Sequence, residues 1–312
     1  MEQTFQQSEL KLKIEDLQKS TKTALLMDEI NIAVHAGEIF ALVGGPESCK
    51  TLLSKIVVKL VKKTKGEVRL DGKFGASLHQ QNFYKNLTAY KTIEQYAKLQ
   101  KHPVSRSRIV NVLSLVDLKK VMHQTLDRFD AGAIARLRIA IAIFTSPKIL
   151  ILDDPFRNMT REQAHKIRVI IKTIAEVKGT AVFITTQNAA DVEEICDTIG
   201  IIDDGFIVTI KSYNQFIRDD APYETMRVQT PTPNYTAQII EETLKYNTHL
   251  CGEWVVVDTP PTNAQAIADA LTARGVKVLS VQRVNRSLSE QFYEVISSRR
   301  NRRAALPGGV PC

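Results

Sequence analysis

No apolar run in this chain of 312 residues approaches the roughly 18 consecutive residues that a membrane helix requires; runs such as residues 139–144 and 149–152 stop far short. Nothing is expected to span a bilayer. The opening Met1-Glu2-Gln3-Thr4-Phe5-Gln6-Gln7 has neither the basic nor the apolar segment of a secretory signal, so the chain is expected to stay in the cytoplasm. Cysteine is scarce, and Cys49, Cys196, Cys251 and Cys312 are scattered without paired spacing. That excludes a disulfide framework and a zinc site and leaves reduced thiols. Anionic charge is in deficit, with 34 Asp and Glu against 42 Lys and Arg and a net charge of +8. Such a balance suits phosphate ligands, an anionic membrane face or nucleic acid. Part of the excess is local, because Arg299, Arg300, Arg302 and Arg303 crowd residues 299–312, which are expected to form a basic, disordered tail.

Hydrophobic residues at 44% and charged ones at 24% are the ordinary globular mix, which excludes collagen-like and low-complexity classes. The length favours two domains over one core. Residues 10–17, 30–34 and 39–43 carry the apolar pattern of strands, with a turn at Ala36-Gly37 between the last two. A helix is expected over 51–61, then a strand over 66–70 and a turn at Asp71-Gly72. From 88 to 126 the periodicity is helical, interrupted at Pro103, and 131–144 reads as an apolar helix. Residues 149–152 are short and apolar enough for a buried parallel strand. A helix over 160–177, a strand over 180–185, a helix over 189–197 and a strand over 199–202 turning at Asp204-Gly205 complete the first unit. Strands alternating with helices predict an α/β fold with a parallel sheet. From Ala221-Pro222 onward a small α+β module is expected: strands over 225–230, 254–258 and 276–284, helices over 235–246 and before Gly275, and a last helix capped at Ser287.

The segment Gly44-Gly45-Pro46-Glu47-Ser48-Cys49-Lys50-Thr51 follows a predicted strand and opens a predicted helix. It fits a phosphate-binding loop except that Cys49 stands where the last glycine is expected. Such a loop wraps backbone N–H groups around a phosphate, with a lysine on the β/γ oxygens and a hydroxyl on Mg²⁺; Lys50 and Thr51 supply these last two. Cys49 would be strained if its backbone needs a glycine-like angle. The helix N-terminus and Lys50 would favour its thiolate. Further along, the apolar run 149–152 ends in Asp153-Asp154-Pro155. A carboxylate at the tip of a buried strand can hold Mg²⁺ through its water shell, which makes Asp153 the metal candidate. Asp154 follows as the group that orients or deprotonates water.

Taken in order, these residues resemble the ATP-binding subunit of an ABC transporter over roughly residues 10–217, and in particular those of bacitracin and lantibiotic export or immunity systems. Residues 83–90, Phe-Tyr-Lys-Asn-Leu-Thr-Ala-Tyr, look like the segment after that family's Q-loop, and residues 287–292, Ser-Leu-Ser-Glu-Gln-Phe, look like the motif closing its C-terminal extension. The resemblance implies a P-loop ABC-type ATPase domain over 1–220. It would have a mixed β-sheet with helices and a helical subdomain over about 88–145, followed by a small α+β regulatory or dimerisation domain over 221–298. It implies nucleotide binding by Gly44, Gly45, Pro46, Glu47, Ser48, Cys49, Lys50 and Thr51, with ATP and Mg²⁺ as cofactors. The metal would be held by Thr51, Asp153 and a Q-loop residue, His79 or, if the loop slips by one, Gln80.

Several family positions are altered. Ser20-Thr21 replace the aromatic that stacks on adenine, and the signature segment reads Phe129-Asp130-Ala131-Gly132-Ala133. Asp154 stands for the catalytic Glu, Arg157-Asn158-Met159-Thr160 lacks the D-loop aspartate, and Gln187 takes the switch His position. The resemblance therefore implies a nucleotide-binding exporter subunit with impaired hydrolysis. Its partners would be ABC permease subunits and a second ATP-binding subunit, as a homodimer or, preferably, a heterodimer. It would sit peripherally on the inner face of the cell membrane. Two alternatives stay open: a fully active ATPase in which Asp154 and Gln187 do the work of Glu and His, and a soluble ABC protein acting on nucleic acid or the ribosome. No nucleic acid is expected as a partner, because the chain has neither two such domains nor a long coiled-coil insertion.

Overall fold

In the computed structural model, residues 9–78, 83–100, 105–219, 224–259, 264–284, 288–289, 292–293 and 295–297 are described. Two compact units divide the chain, Met1–Tyr213 and Asn214–Cys312.

The first unit opens with β1 (Leu10–Ser20) and β2 (Leu25–His35), an antiparallel pair. Their alternating Leu12, Ile14, Met27, Ile30, Ile32 and Val34 enter one core, as a period of two requires. With β4 (Lys65–Leu70) on the other edge of β1 they form a three-stranded sheet. A second sheet has the order β5-β6-β7-β3-β8-β9. Its strands are β3 (Ile39–Val43), β5 (Phe74–Ser77), β6 (Ile149–Asp153), β7 (Ala181–Thr186), β8 (Thr198–Asp203) and β9 (Phe206–Ser212). All are parallel except β9, which returns antiparallel to β8. β3, β6 and β7 are buried along their whole length, which is why they read as unbroken apolar runs.

The helices follow from equally local causes. α1 (Lys50–Val57) stops four residues short of the predicted 61. Lys59 turns left-handed at φ 62° and the N–H groups of Leu60 and Val61 fold back onto the Lys55 carbonyl. Thr88 caps α2 (Ala89–Leu99) by accepting the Lys91 N–H, and α3 (Arg106–Leu115) follows. The predicted helix up to 126 does not continue: Asp117 is left-handed at φ 54°, and only one-turn 3-10 helices at Lys119–Val121 and Leu126–Arg128 come after it. α4 (Ala131–Ile143) is buried from residue 139 to its end, a helix with core on every side. α5 (Arg161–Lys178) begins with a reciprocal capping box between Thr160 and Gln163 and ends at Gly179. The predicted helix over 189–197 is only a 3-10 turn, Ala189–Asp191. The segment turns through i→i+3 bonds, the Val192 N–H to the Ala189 carbonyl and the Ile195 N–H to the Val192 carbonyl, and ends where Asp197 exchanges hydrogen bonds with Ile39 at the start of β3.

α6 (Tyr213–Asp219) follows β9. The second unit then runs β10 (Glu224–Gln229), α7 (Pro233–Leu244), β11 (Thr248–Cys251), β12 (Trp254–Thr259), α8 (Ala264–Ala273) and β13 (Ser280–Val284). Its antiparallel sheet has the order β11-β12-β10-β13, a split βαβ arrangement. Met226, Val228, Val255 and Val257 pack there with Ile239, Ile240, Ile267 and Leu271 of the two helices. The four-residue strands β5 and β11 are absent from the sequence reading, because edge strands of that length carry too few residues to show a period. Ser287 and residues 299–312 lie outside the described residues.

Candidate functional site

Because β3, β6 and β7 are parallel, their carboxyl ends share one edge of the sheet, where open α/β sheets bind ligands. The last two residues of β7 knit that edge together. The Thr186 carbonyl accepts the N–H of Gly44 at 3.1 Å, and the Thr185 carbonyl accepts the N–H of Asp154 at 2.8 Å. The Thr185 hydroxyl also donates to Asp153 Oδ1 at 2.6 Å. This partner was not assigned from the sequence; its signal was a Thr-Thr pair ending a strand just before Gln187.

From β3 the chain enters the loop. Gly44 is a glycine by necessity, since a Cβ would stand 2.5 Å from Ser48 Oγ and 2.6 Å from the Ile202 carbonyl. Ser48 Oγ donates to the Gly45 carbonyl at 2.7 Å, closing the loop on itself, while a Cβ on Gly45 would meet nothing within 4 Å. Cys49 is the N-cap of α1, with φ 64° and no side-chain cap, the left-handed conformation that the missing glycine would adopt freely. Its thiol is pushed up, first by burial and then by Asp204, with Lys50 opposing. The expectation of a favoured thiolate is thereby corrected: desolvation outweighs the neighbouring cation.

Lys50 is 3% exposed and donates from Nζ to the Gly45 carbonyl at 2.8 Å. Burial pushes its ammonium down, Asp154 and Asp153 oppose that, and Arg157 adds to it. Thr51 Oγ1 donates to Asp153 Oδ1 at 3.1 Å. Two hydroxyls thus converge on one oxygen of Asp153, whereas its Oδ2 is buried without a hydrogen-bond partner. An orphaned carboxylate oxygen beside a threonine hydroxyl and a buried lysine fits a hydrated cation and an anionic ligand.

Next to this edge lies a hollow of about 380 Å³ lined by Asp154, Arg157, Asn158, Gln187 and Asp191, among others. It brings together both predicted catalytic residues. Asp154 is left-handed at φ 49°, which turns the chain sharply after β6. Asp191 escaped the sequence reading. Burial, helped by the charge of Asp154 and opposed by Arg168, pushes its carboxyl up to about 6. A larger hollow of about 430 Å³ lies at the opposite edge, around Ile39, and is lined by Glu176, Glu193, Glu194 and Asp197. Its acidic lining is unsuited to a phosphate.

The segment Asp130, Ala131, Gly132 and Ala133 starts α4. Asp130 is the N-cap and accepts the Ala133 N–H at 2.6 Å, and its other oxygen accepts from Gln163 Nε2 at 2.9 Å. These bonds hold its carboxyl below the usual range, the Ala133 N–H foremost. A Cβ on Gly132 would approach the Gln163 side chain to 2.9 Å, so the glycine lets α4 and α5 meet. Gln163 was also missed from sequence. His79 and Gln80 lie outside the described residues.

The ABC transporter family profile matches residues 27–157. Over 212 residues the chain is 31% identical to the lantibiotic transport ATP-binding protein SrtF of Streptococcus pyogenes, covering 65% of this chain and 91% of that protein. It is likewise 31% identical over 209 residues to the bacitracin transport ATP-binding protein BcrA of Enterococcus faecalis, covering 63% and 68%. Among solved structures, a dimeric bacterial ABC transporter cassette superposes with a TM-score of 0.58 at 22% identity, covering 65% of this chain and 98% of the cassette. The ATP-binding subunit of another ABC transporter superposes with a TM-score of 0.59 at 19% identity, covering 67% and 92%.

Proposed function

Because the chain belongs to the ATP-binding subunits of ABC transporters, we propose that it binds MgATP on Gly44–Thr51 and serves an exporter of antibiotic-like peptides with its hydrolysis impaired. The observation that carries this reading is Asp153, one oxygen held by Thr51 and Thr185 and the other buried without a partner. Thr51 and Asp153 would hold Mg²⁺, which neutralises phosphate charge when bound. Lys50 would hold the phosphates, and no aromatic at Ser20-Thr21 would grip adenine. The names of SrtF and BcrA, lantibiotic and bacitracin transport ATP-binding proteins, support a role in transport of such peptides, and among the described residues no helix is long and apolar enough to cross a membrane. As in the ABC transporter family, permease subunits would carry the substrate, with this chain peripheral on their cytoplasmic side.

The weak point of turnover lies at the water. Asp154 is one methylene shorter than Glu, and Gln187 lacks an imidazole, yet both line the hollow where water would be oriented and its proton accepted. Steady-state phosphate release tests the reading. Asp154→Glu with Gln187→His should raise turnover, and Asp153→Ala should abolish both turnover and Mg-dependent ATP binding. An unaltered chain turning over at about 10 per second, the typical enzyme rate, would favour the fully active alternative instead.

A further inference from the structure

The net charge of +8 is unevenly placed along the chain. Residues 83–128 hold nine Lys and Arg against three Asp and Glu, a net of +6, and outside them and the Arg299–Arg303 run acids outnumber bases. The fold draws this charge onto one surface. Hydrogen bonds tie the segment leading into α2 to the 3-10 turns that follow α3: the Asp127 N–H donates to the Lys85 carbonyl at 3.0 Å, the Leu126 N–H to the Leu87 carbonyl at 2.9 Å and the Tyr90 N–H to the Met122 carbonyl at 3.0 Å. The Tyr90 and His123 rings lie 5.8 Å apart across the same seam. Lys85, Lys91, Lys119, Lys120 and Arg128 are all exposed there. Two of the three acids are engaged elsewhere, Glu94 with Lys98 and Asp117 with Arg136, which leaves Asp127 beside these cations. Tyr84, 76% exposed, stands in the same segment as Lys85.

Resting on the reading of this chain as an ATP-binding subunit peripheral to a membrane, we propose that this surface binds the anionic lipid headgroups of the bilayer directly. A charged bilayer attracts dispersed lysines through its summed surface potential and requires no pocket. The five cations fit that demand, since they stand on separate turns and none of them lines either hollow described above. A tyrosine among lysines suits the headgroup level, where its ring is sheltered and its hydroxyl stays wet. Single-stranded nucleic acid is the less suited polyanion, because it is gripped by successive aromatic platforms, whereas Tyr84 is the one largely exposed aromatic among the described residues of 83–128.

The test is flotation of the full-length chain with vesicles of phosphatidylcholine alone and of phosphatidylcholine with about one-third phosphatidylglycerol. The unaltered chain is compared with a background carrying Arg299→Gln, Arg300→Gln, Arg302→Gln and Arg303→Gln, which silences the other basic run. Lys119→Gln with Lys120→Gln, and Lys85→Gln with Lys91→Gln, are then added to that background. We expect the background chain to bind the mixed vesicles and not the neutral ones, and high salt to release it. Each lysine pair should weaken that binding about tenfold or more, since one cation near such a surface contributes about fivefold. Melting temperature and MgATP affinity should stay unchanged, because these lysines are exposed and lie outside Gly44–Thr51. If the background chain binds both vesicles equally or neither, or if both lysine pairs leave binding undiminished, the proposal falls; MgATP binding by the same protein would show that the nucleotide-binding reading stands. Vesicle binding that the lysine pairs weaken, without MgATP binding, would overturn that reading and uphold the lipid surface. An oligonucleotide bound more tightly than the mixed vesicles at the same salt would reassign the surface to nucleic acid and overturn the proposal.

Discussion

Cys49 shows how one side chain can be tolerated against its own backbone preference. At φ 64° an L-residue carries a steric cost of about 1–2 kcal/mol that glycine avoids. Cys49→Gly should therefore stabilise the chain by about 1 kcal/mol after glycine's own entropic cost is subtracted, read as a higher urea midpoint. Its thiol, pushed up by burial and Asp204, should alkylate slowly at neutral pH. Asp191 gives a pH signature. Its carboxyl sits at about 6 against an ordinary 3.8, so the folded chain holds this proton more tightly than the unfolded one. Stability from this group is then present below the ordinary carboxylate range and lost as pH rises toward about 6. Asp191→Asn removes the titration, so its melting temperature relative to the unaltered chain should rise between pH 4.5 and pH 7. A constant difference would show that burial does not penalise the Asp191 charge.

At the scale of the element, the start of α4 carries the clearest departure. The Asp130 carboxylate spends its two oxygens on the Ala133 N–H and on Gln163, so an internal anion occupies the helix N-terminus. Asp130→Ala should cost about 1 kcal/mol as a lost N-cap, measured by urea unfolding, whereas Asp130→Ser should keep most of it. If dimer closure on ATP is limited by this anion, Asp130→Ser with Ala131→Gly should increase ATP-dependent dimerisation in light scattering, with Asp154→Asn present to stop turnover. A tight ATP-bound dimer already formed by the unaltered segment would remove that role from Asp130. Gln163 belongs to the same account, since one side chain closes the α5 capping box and reaches α4.

For the whole molecule, the split βαβ unit has its own core of Met226, Val228, Ile239, Ile240, Val255, Val257, Ile267 and Leu271. Residues 221–298 are therefore proposed as a separately folding regulatory or dimer-stabilising domain without chemistry of its own. Truncation after residue 220 should leave MgATP affinity nearly unchanged and weaken dimerisation or permease assembly, measured by calorimetry and co-purification. Undiminished dimerisation and assembly would refute the assignment.

The sequence by itself determined the alternation of strands and helices, the loop from Gly44 to Thr51 and the carboxylates ending β6. Each is a contiguous signal: an apolar run of four before Asp153, or a lysine and a hydroxyl at the start of a helix. Tertiary structure alone decided the rest, because it depends on what a segment meets across the sheet. Thr185 became the partner of Asp153 only through the β6–β7 register. Asp191 and Arg157 joined Asp154 only because two turns close around one hollow. Residues 189–195 turn through i→i+3 bonds instead of forming the expected helix, before Asp197 ties to Ile39, and the Cys49 thiol was raised rather than lowered because desolvation, a property of the fold, exceeded the local charge of Lys50.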